Sequence, residues 1–158
     1  MDDLILARAL HILGVVIWIG GLSMATTVAI PAVRRGELGP DRLRAFQAIE
    51  GRFIWHARIS VLIVGITGYY MTDKLDLWDR FRACEFWWMH AMVGLWLLFT
   101  AVLFVGEPLV LHKYFEKWAT EKPDAAFAWL QRAHWMLLAL ALVTVFGAAA
   151  GSHGWLLF

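Results

Sequence analysis

Residues 9–22 read Ala9-Leu-His-Ile-Leu-Gly-Val-Val-Ile-Trp-Ile-Gly-Gly-Leu22. The run carries no formal charge and only one strongly polar side chain, His11. Apolar sequence extends from it in both directions, over about residues 4–33. A helix that is apolar all round has no face for water, and roughly 20 such residues cross about 30 Å of hydrocarbon. We therefore read 4–33 as a membrane span. An imidazole inside a span is costly, which makes His11 a functional-site candidate.

Three further apolar runs follow, at about 53–72, 86–111 and 127–155; His56, His90 and His134 lie in them in turn, with His153 at the end of the last. The composition agrees, with 61% hydrophobic and 17% charged residues and ten tryptophans. The expected fold is all-α: a single domain forming an integral membrane antiparallel four-helix bundle, since a polar backbone in lipid must satisfy itself within helices. The long first run and the acidic start at Asp2 and Asp3 read as a span and not as a cleavable leader. Asp41 after Pro40 reads as the start of a short amphipathic helix in the first loop, and Pro123-Asp124 as another helix start.

Loop charges set the expected orientation. The first loop holds Arg34, Arg35, Arg42, Arg44 and Arg52, and the third Lys113, Lys117 and Lys122. The second sets Asp73, Asp76, Asp79 and Glu85 against three basic residues. By the positive-inside rule loops one and three are cytoplasmic. This implies a bacterial inner (plasma) membrane protein with both termini periplasmic. A net charge of +1 offers no basic surface, so nucleic acid is not an expected partner. Cys84 stands alone, so the chain has no internal disulfide and no C-x-x-C-H haem attachment.

By depth along the spans the histidines form two layers, on the order of 15–20 Å apart. His11 and His90 lie toward one face, His56 and His134 toward the other. Facing helices that each present an imidazole suit b-type haem, held by coordination and packing alone. Gly14 and Gly94, one turn from His11 and His90, read as room for a flat ring, with Trp18 as a pocket wall. Arg8 would meet propionates at one layer and Arg52, Arg58 or Arg132 at the other. Glu107, before the helix-kinking Pro108, reads as interfacial, as a proton carrier for a quinone, or as a partner for Arg58.

The stretch 9–22 resembles the first span of the haem-dependent protoporphyrinogen oxidases (HemJ type). It is also similar to the copper-resistance D (CopD-like) membrane family, which shares an early His followed by Trp and Gly. Trp88-Met-His90 resembles the Trp-x-His that opens the oxidases' third span. Met92 stands where they carry a lysine, and Gly106-Glu-Pro108 is a partial match to their Asn-Glu-x-Pro. The resemblance implies a helical bundle with His11, and His90 beside it, as haem ligands.

The expected function is a membrane b-type haem protein, with one or two haems b, that transfers electrons across or within the bilayer. Its partners would be membrane lipid and a quinone or another redox protein, and it would act alone, as a homo-oligomer or within a respiratory complex. The alternatives are an oxidase of the protoporphyrinogen type and a copper-handling protein using His11, Met89, His90 and Met92 as soft ligands.

Overall fold

This computed structural model describes residues 2–155, with the backbone alone at 110–112. Its regular elements are all helical. They are α1 Asp2–Arg34, α2 Arg42–Lys74, α3 Trp87–Ala101, α4 His112–Glu121 and α5 Pro123–Ser152. Two stretches are wound as π-helix: Ala25–Ala29 inside α1, and Val102–Leu111, which continues α3 into α4. Short 3-10 turns, Trp78–Arg82 and Cys84–Phe86, lead from α2 into α3.

Three helical stretches are long and apolar enough to cross a membrane: Asp2–Arg34, Cys84–Leu109 and Pro123–Ser152. They correspond to the expected runs 4–33, 86–111 and 127–155. The run 53–72 lies within α2, which is equally long but less apolar, because Arg52, His56 and Arg58 interrupt it. No separate helix forms over the first loop. The Asp41 carboxylate accepts the Arg44 backbone N–H at 3.0 Å, and the helix it caps runs on without a break to Lys74. The Pro123 start is as expected.

Close approaches fix how the four long helices lie. Gly14 of α1 meets Ser60 and Val64 of α2, Gly21 meets Phe53, and Asp3 accepts a hydrogen bond from Tyr70. These two helices are therefore antiparallel. Trp96 of α3 donates to the Val61 carbonyl of α2 at 2.9 Å, with its ring over Gly65. Trp87 and Trp88 of α3 cover Gly147 and Gly151 of α5, and Gln131 of α5 reaches Thr26 of α1. Each long helix thus packs against two others in a ring. Tryptophan set over glycine is the recurring contact, and it brings backbones close where hydrocarbon supplies no hydrophobic drive.

The main core runs along the ring axis through Trp18, Leu22, Val61, Leu95, Phe99 and Leu138. A second cluster closes the end that bears the arginine-rich first loop. There α4 lays Phe115 and Ala119 on Phe46 and Phe127.

Proline explains both π segments. Ile30 donates to the Ala25 carbonyl, five residues back, so the Thr26 carbonyl would need the N–H of residue 31. Residue 31 is proline and has none. The side chain of Gln131 donates to Thr26 O instead, at 2.7 Å. In α3 the same offset from Pro108 reaches Leu103, and the Leu103 carbonyl accepts from Arg58 at 3.0 and 2.9 Å. Each broken helix is repaired by a polar side chain from a neighbour, which is how such breaks are tolerated in spans.

Gln131→Leu is expected to cost about 1 kcal/mol. Stranding a buried carbonyl costs more than that, but the change also removes Gln131 Oε1, which is buried without a partner. Unfolding midpoints in mixed detergent check the value, and an unchanged midpoint would contradict the repair.

Candidate functional site

Both π segments border one cavity of about 580 Å³ at the arginine-rich end. Its inner wall is Trp18, Leu22, Ile54 and Phe99, and its outer part includes Phe46, Phe53, Phe115 and Trp129. Ala25 and Ala29 come from the first π segment, and Val102, Leu103 and Glu107 from the second. Clustering at functional sites is common for π turns. The volume lies within the roughly 300–1,000 Å³ usual for small-molecule pockets. Met24, Trp129, Met136 and Leu140 border the cavity and are themselves exposed, so it opens sideways between α1 and α5.

Few polar groups reach this apolar space. His134 is half-buried on the wall, and its Nδ1 lies 3.0 Å from the Leu130 carbonyl. A carbonyl can only accept, so Nδ1 carries the proton and Nε2 keeps its lone pair. Glu50, Glu107 and Glu116 also border the cavity. Glu107 is held by Arg58 at 2.7 Å, and Glu116 accepts from Gln47. Arg58 is further enclosed by the rings of Trp55 and Phe104, at 5.3 and 5.8 Å.

Trp18 is 4% exposed, and its ring edge meets Phe99 with centroids 4.8 Å apart. Its indole N–H is buried without an acceptor. Leaving such a donor unmade costs about 1–3 kcal/mol.

No family model, curated protein or solved structure matches this chain. The reading of the site therefore rests on its own chemistry.

The histidine layers need correction. His11 is half-buried in the α1–α2 seam, with Nδ1 3.0 Å from Thr67 Oγ1. Thr67 spends its hydroxyl proton on the Ile63 carbonyl at 2.6 Å, so His11 donates to it from Nδ1. His90 does not face it. His90, Gly94, Leu97 and Ala101 are all exposed, and the inward stripe of α3 is Trp88, Leu95, Phe99 and Leu103. His90 Nε2 donates to the Phe81 carbonyl at 2.9 Å and holds the 3-10 turn against α3. In the other layer His56 is exposed, donates to the Arg52 carbonyl and does not border the cavity. His134 is the one member of the four on the cavity wall. Among the described residues no group of three or more His, Cys, Asp or Glu is placed to hold a metal ion.

The glycines separate likewise. Gly14 leaves no room for a ring, since a Cβ there would stand 2.8 Å from Val64 and 3.3 Å from the Ser60 carbonyl. Gly94 faces open space on the outer surface. Arg8 is exposed near the opposite end, and Arg58 is committed to Glu107 and Leu103. Trp18 borders the cavity. His112 lies outside the residues whose side chains are described, and His153 is exposed at the end of α5.

Sequence reasoning missed Gln131, Gln47 and Glu116. Pro31 carried a signal for the first of these, because a proline inside a span leaves a carbonyl for a neighbour to satisfy.

Proposed function

We propose that this chain is a membrane electron-transfer protein whose redox site is the cavity bordered by His134. The carrying observation is the one imidazole that borders the cavity among the described residues, His134, with its Nδ1 proton fixed on a carbonyl, on an apolar cavity that opens sideways between two helices. Such a site suits a flat, lipophilic redox molecule that arrives through the bilayer. The residues act in plain ways: aromatic walls hold the ring, closed packing excludes water, and His134 Nε2 accepts a proton or a hydrogen bond.

The proposal includes four spans, with α2 crossing as well. Trp55, Ile59, Leu62, Ile66 and Tyr69 form its outward stripe, each at least 46% exposed, and lipid is the solvent for such a face. It also includes an inner-membrane setting with the arginine-rich end cytoplasmic, supported by the loop charges.

Haem b, the cofactor implied by the resemblance, fits this chain in part. His134 Nε2 meets the requirement for one axial imidazole, and the walls suit a macrocycle. No second imidazole faces it among the described residues. Arg58, one of the cations expected for a propionate in this layer, is already engaged by Glu107 and the Leu103 carbonyl. Haem is the second reading, favoured by the tautomer of His134, whose proton is fixed by a carbonyl in the way metal-ligating histidines are oriented.

Absorption spectra with pyridine-haemochrome assay, on the protein and on alanine variants of His11, His56, His90 and His134, separate the readings. A one-to-one haem b signal lost only in His134→Ala establishes the haem reading. A signal lost only in His11→Ala moves the redox centre to the α1–α2 seam and contradicts the cavity as the redox site. Absence of haem leaves the cavity to another redox molecule.

A further inference from the structure

Arg132 stands alone on α5. It is the only residue from 125 to 158 with a formal charge, and it lies exposed on a helix long and apolar enough to cross a membrane. Among the described residues its guanidinium has no hydrogen bond or ion pair. A charge within a span needs a partner, and where the protein supplies none the partner comes from outside. We infer that the groove between α1 and α5, outside the cavity, binds an anionic phospholipid, with its phosphate on Arg132 and one acyl chain along the groove. The inference rests on the membrane setting of these two helices and not on what the cavity holds.

Helical register places Arg132 at the groove. It follows Trp129 by three residues and precedes Met136 by four, so it shares their stripe, which continues through Leu140 and Val143. The whole stripe is exposed, and Trp129, Met136 and Leu140 also border the mouth of the cavity. Across the mouth α1 presents Met24, with Val28 one turn on, both exposed. Gln131, beside Arg132, holds the Thr26 carbonyl of α1 at 2.7 Å, which sets these turns at one level.

The dimensions suit one lipid chain. Trp129 meets Trp118 of the amphipathic α4 with ring centroids 5.9 Å apart, and tryptophans concentrate at the headgroup level. Arg132 lies one turn inside that level, where an arginine side chain rises toward the headgroups. Eleven residues separate Arg132 from Val143. That is about 16 Å of helix, close to half of the roughly 30 Å of hydrocarbon.

Charge selects the headgroup. No Asp or Glu occurs at 4–36 or at 125–158, so neither helix of the groove carries a carboxylate in its span. A phosphate accepts charge-assisted hydrogen bonds from a guanidinium, while the ammonium of a zwitterionic lipid finds no counter-charge on either helix. Basic positions between spans are recognised by anionic headgroups in this way.

Native mass spectrometry of the delipidated full chain in detergent tests the inference by titration with palmitoyl-oleoyl phosphatidylglycerol or phosphatidylcholine. The first phosphatidylglycerol should bind about tenfold tighter than phosphatidylcholine, the worth of one charged hydrogen bond. Arg132→Gln should abolish that preference, and Arg132→Lys should keep part of it. Arg52→Gln removes an exposed arginine at the same end, on α2, and should bind as the wild type does. Thermal melts show which variants are folded. A photoreactive acyl chain should label Met24, Val28, Met136 or Leu140 in the wild type and none of them in Arg132→Gln. Equal affinity for the two lipids would overturn the site. So would equal losses in Arg52→Gln and Arg132→Gln, which mark a general attraction to the basic end. Ala133→Trp, which fills the cavity, should keep the lipid, so the groove and the redox reading of the cavity fail separately. Loss of the lipid in that folded variant would overturn the groove as the site.

Discussion

Arg58→Leu is expected to destabilise the folded protein by about 3–5 kcal/mol, the usual cost of removing one partner from a buried ion pair. Arg58 and Glu107 side chains are only 17% and 20% exposed, so little solvent screens the charge left behind. The substitution also removes the two donors that satisfy the Leu103 carbonyl, orphaned by Pro108. Arg58→Lys should recover only part of the loss, because an ammonium lacks the planar fork that serves a carbonyl and a carboxylate together. Adding Glu107→Leu to Arg58→Leu should recover part of the loss, because the carboxylate that faced Arg58 is then gone too. Unfolding midpoints for the four proteins in mixed detergent measure these differences. A midpoint within about 0.5 kcal/mol of wild type for Arg58→Leu, the range of ordinary surface changes, would contradict the repair of α3.

Gly14→Leu is expected to cost about 3 kcal/mol or more, while Gly94→Leu leaves stability unchanged or slightly raised. A side chain at 14 must displace Val64 and press on the Ser60 backbone in the tight α1–α2 seam. Overpacking of this kind usually costs about 1–3 kcal/mol, and a rigid backbone neighbour puts it at the upper end. At 94 nothing stands within 4 Å of the new Cβ, and replacing glycine within a helix gains up to about 1 kcal/mol. The comparison separates a seam glycine from one that faces lipid, two positions the sequence had read alike. Equal stability of the two variants would contradict the assignment of faces.

Three of the four expected spans were legible because hydropathy is a property of the chain alone. Position along each helix was legible too, since helical rise is constant. Azimuth was not. The stripe His56, Ser60, Ile63 and Thr67 drew a straight line along α2, and Ser60 and Thr67 are indeed on its buried face with Ile54, Ala57, Val61 and Val64, yet His56 is turned outward. The stripe of His90 and Gly94 faces fully outward. In a span both faces are apolar, so periodicity gives no sign of which one meets protein. Bulky-on-glycine contacts decide it: Trp96 on Gly65, Trp87 on Gly147, Trp88 on Gly151. These join residues far apart in sequence, and a single chain does not announce them.

The candidate site was half legible. Trp18 and His134 were marked from residue type and depth, and the pairing of Glu107 with Arg58 was one of the options the proline kink raised. The cavity itself arises from two helices rewound at Pro31 and Pro108, whose effect on the backbone depends on what the neighbouring helices donate. Gln131 meets Thr26 across 105 residues of chain.

Organic extraction of the purified protein, with bound quinone and haem quantified per chain, tests the central claim most directly when wild type is compared with Ala133→Trp. Ala133 borders the cavity, and the larger ring fills it. About one lipophilic redox molecule per wild-type chain, and a small fraction of that in the folded variant, is the predicted result. Equal amounts in both proteins, or no redox molecule in the wild type even after incubation with excess quinone and haemin, would contradict it.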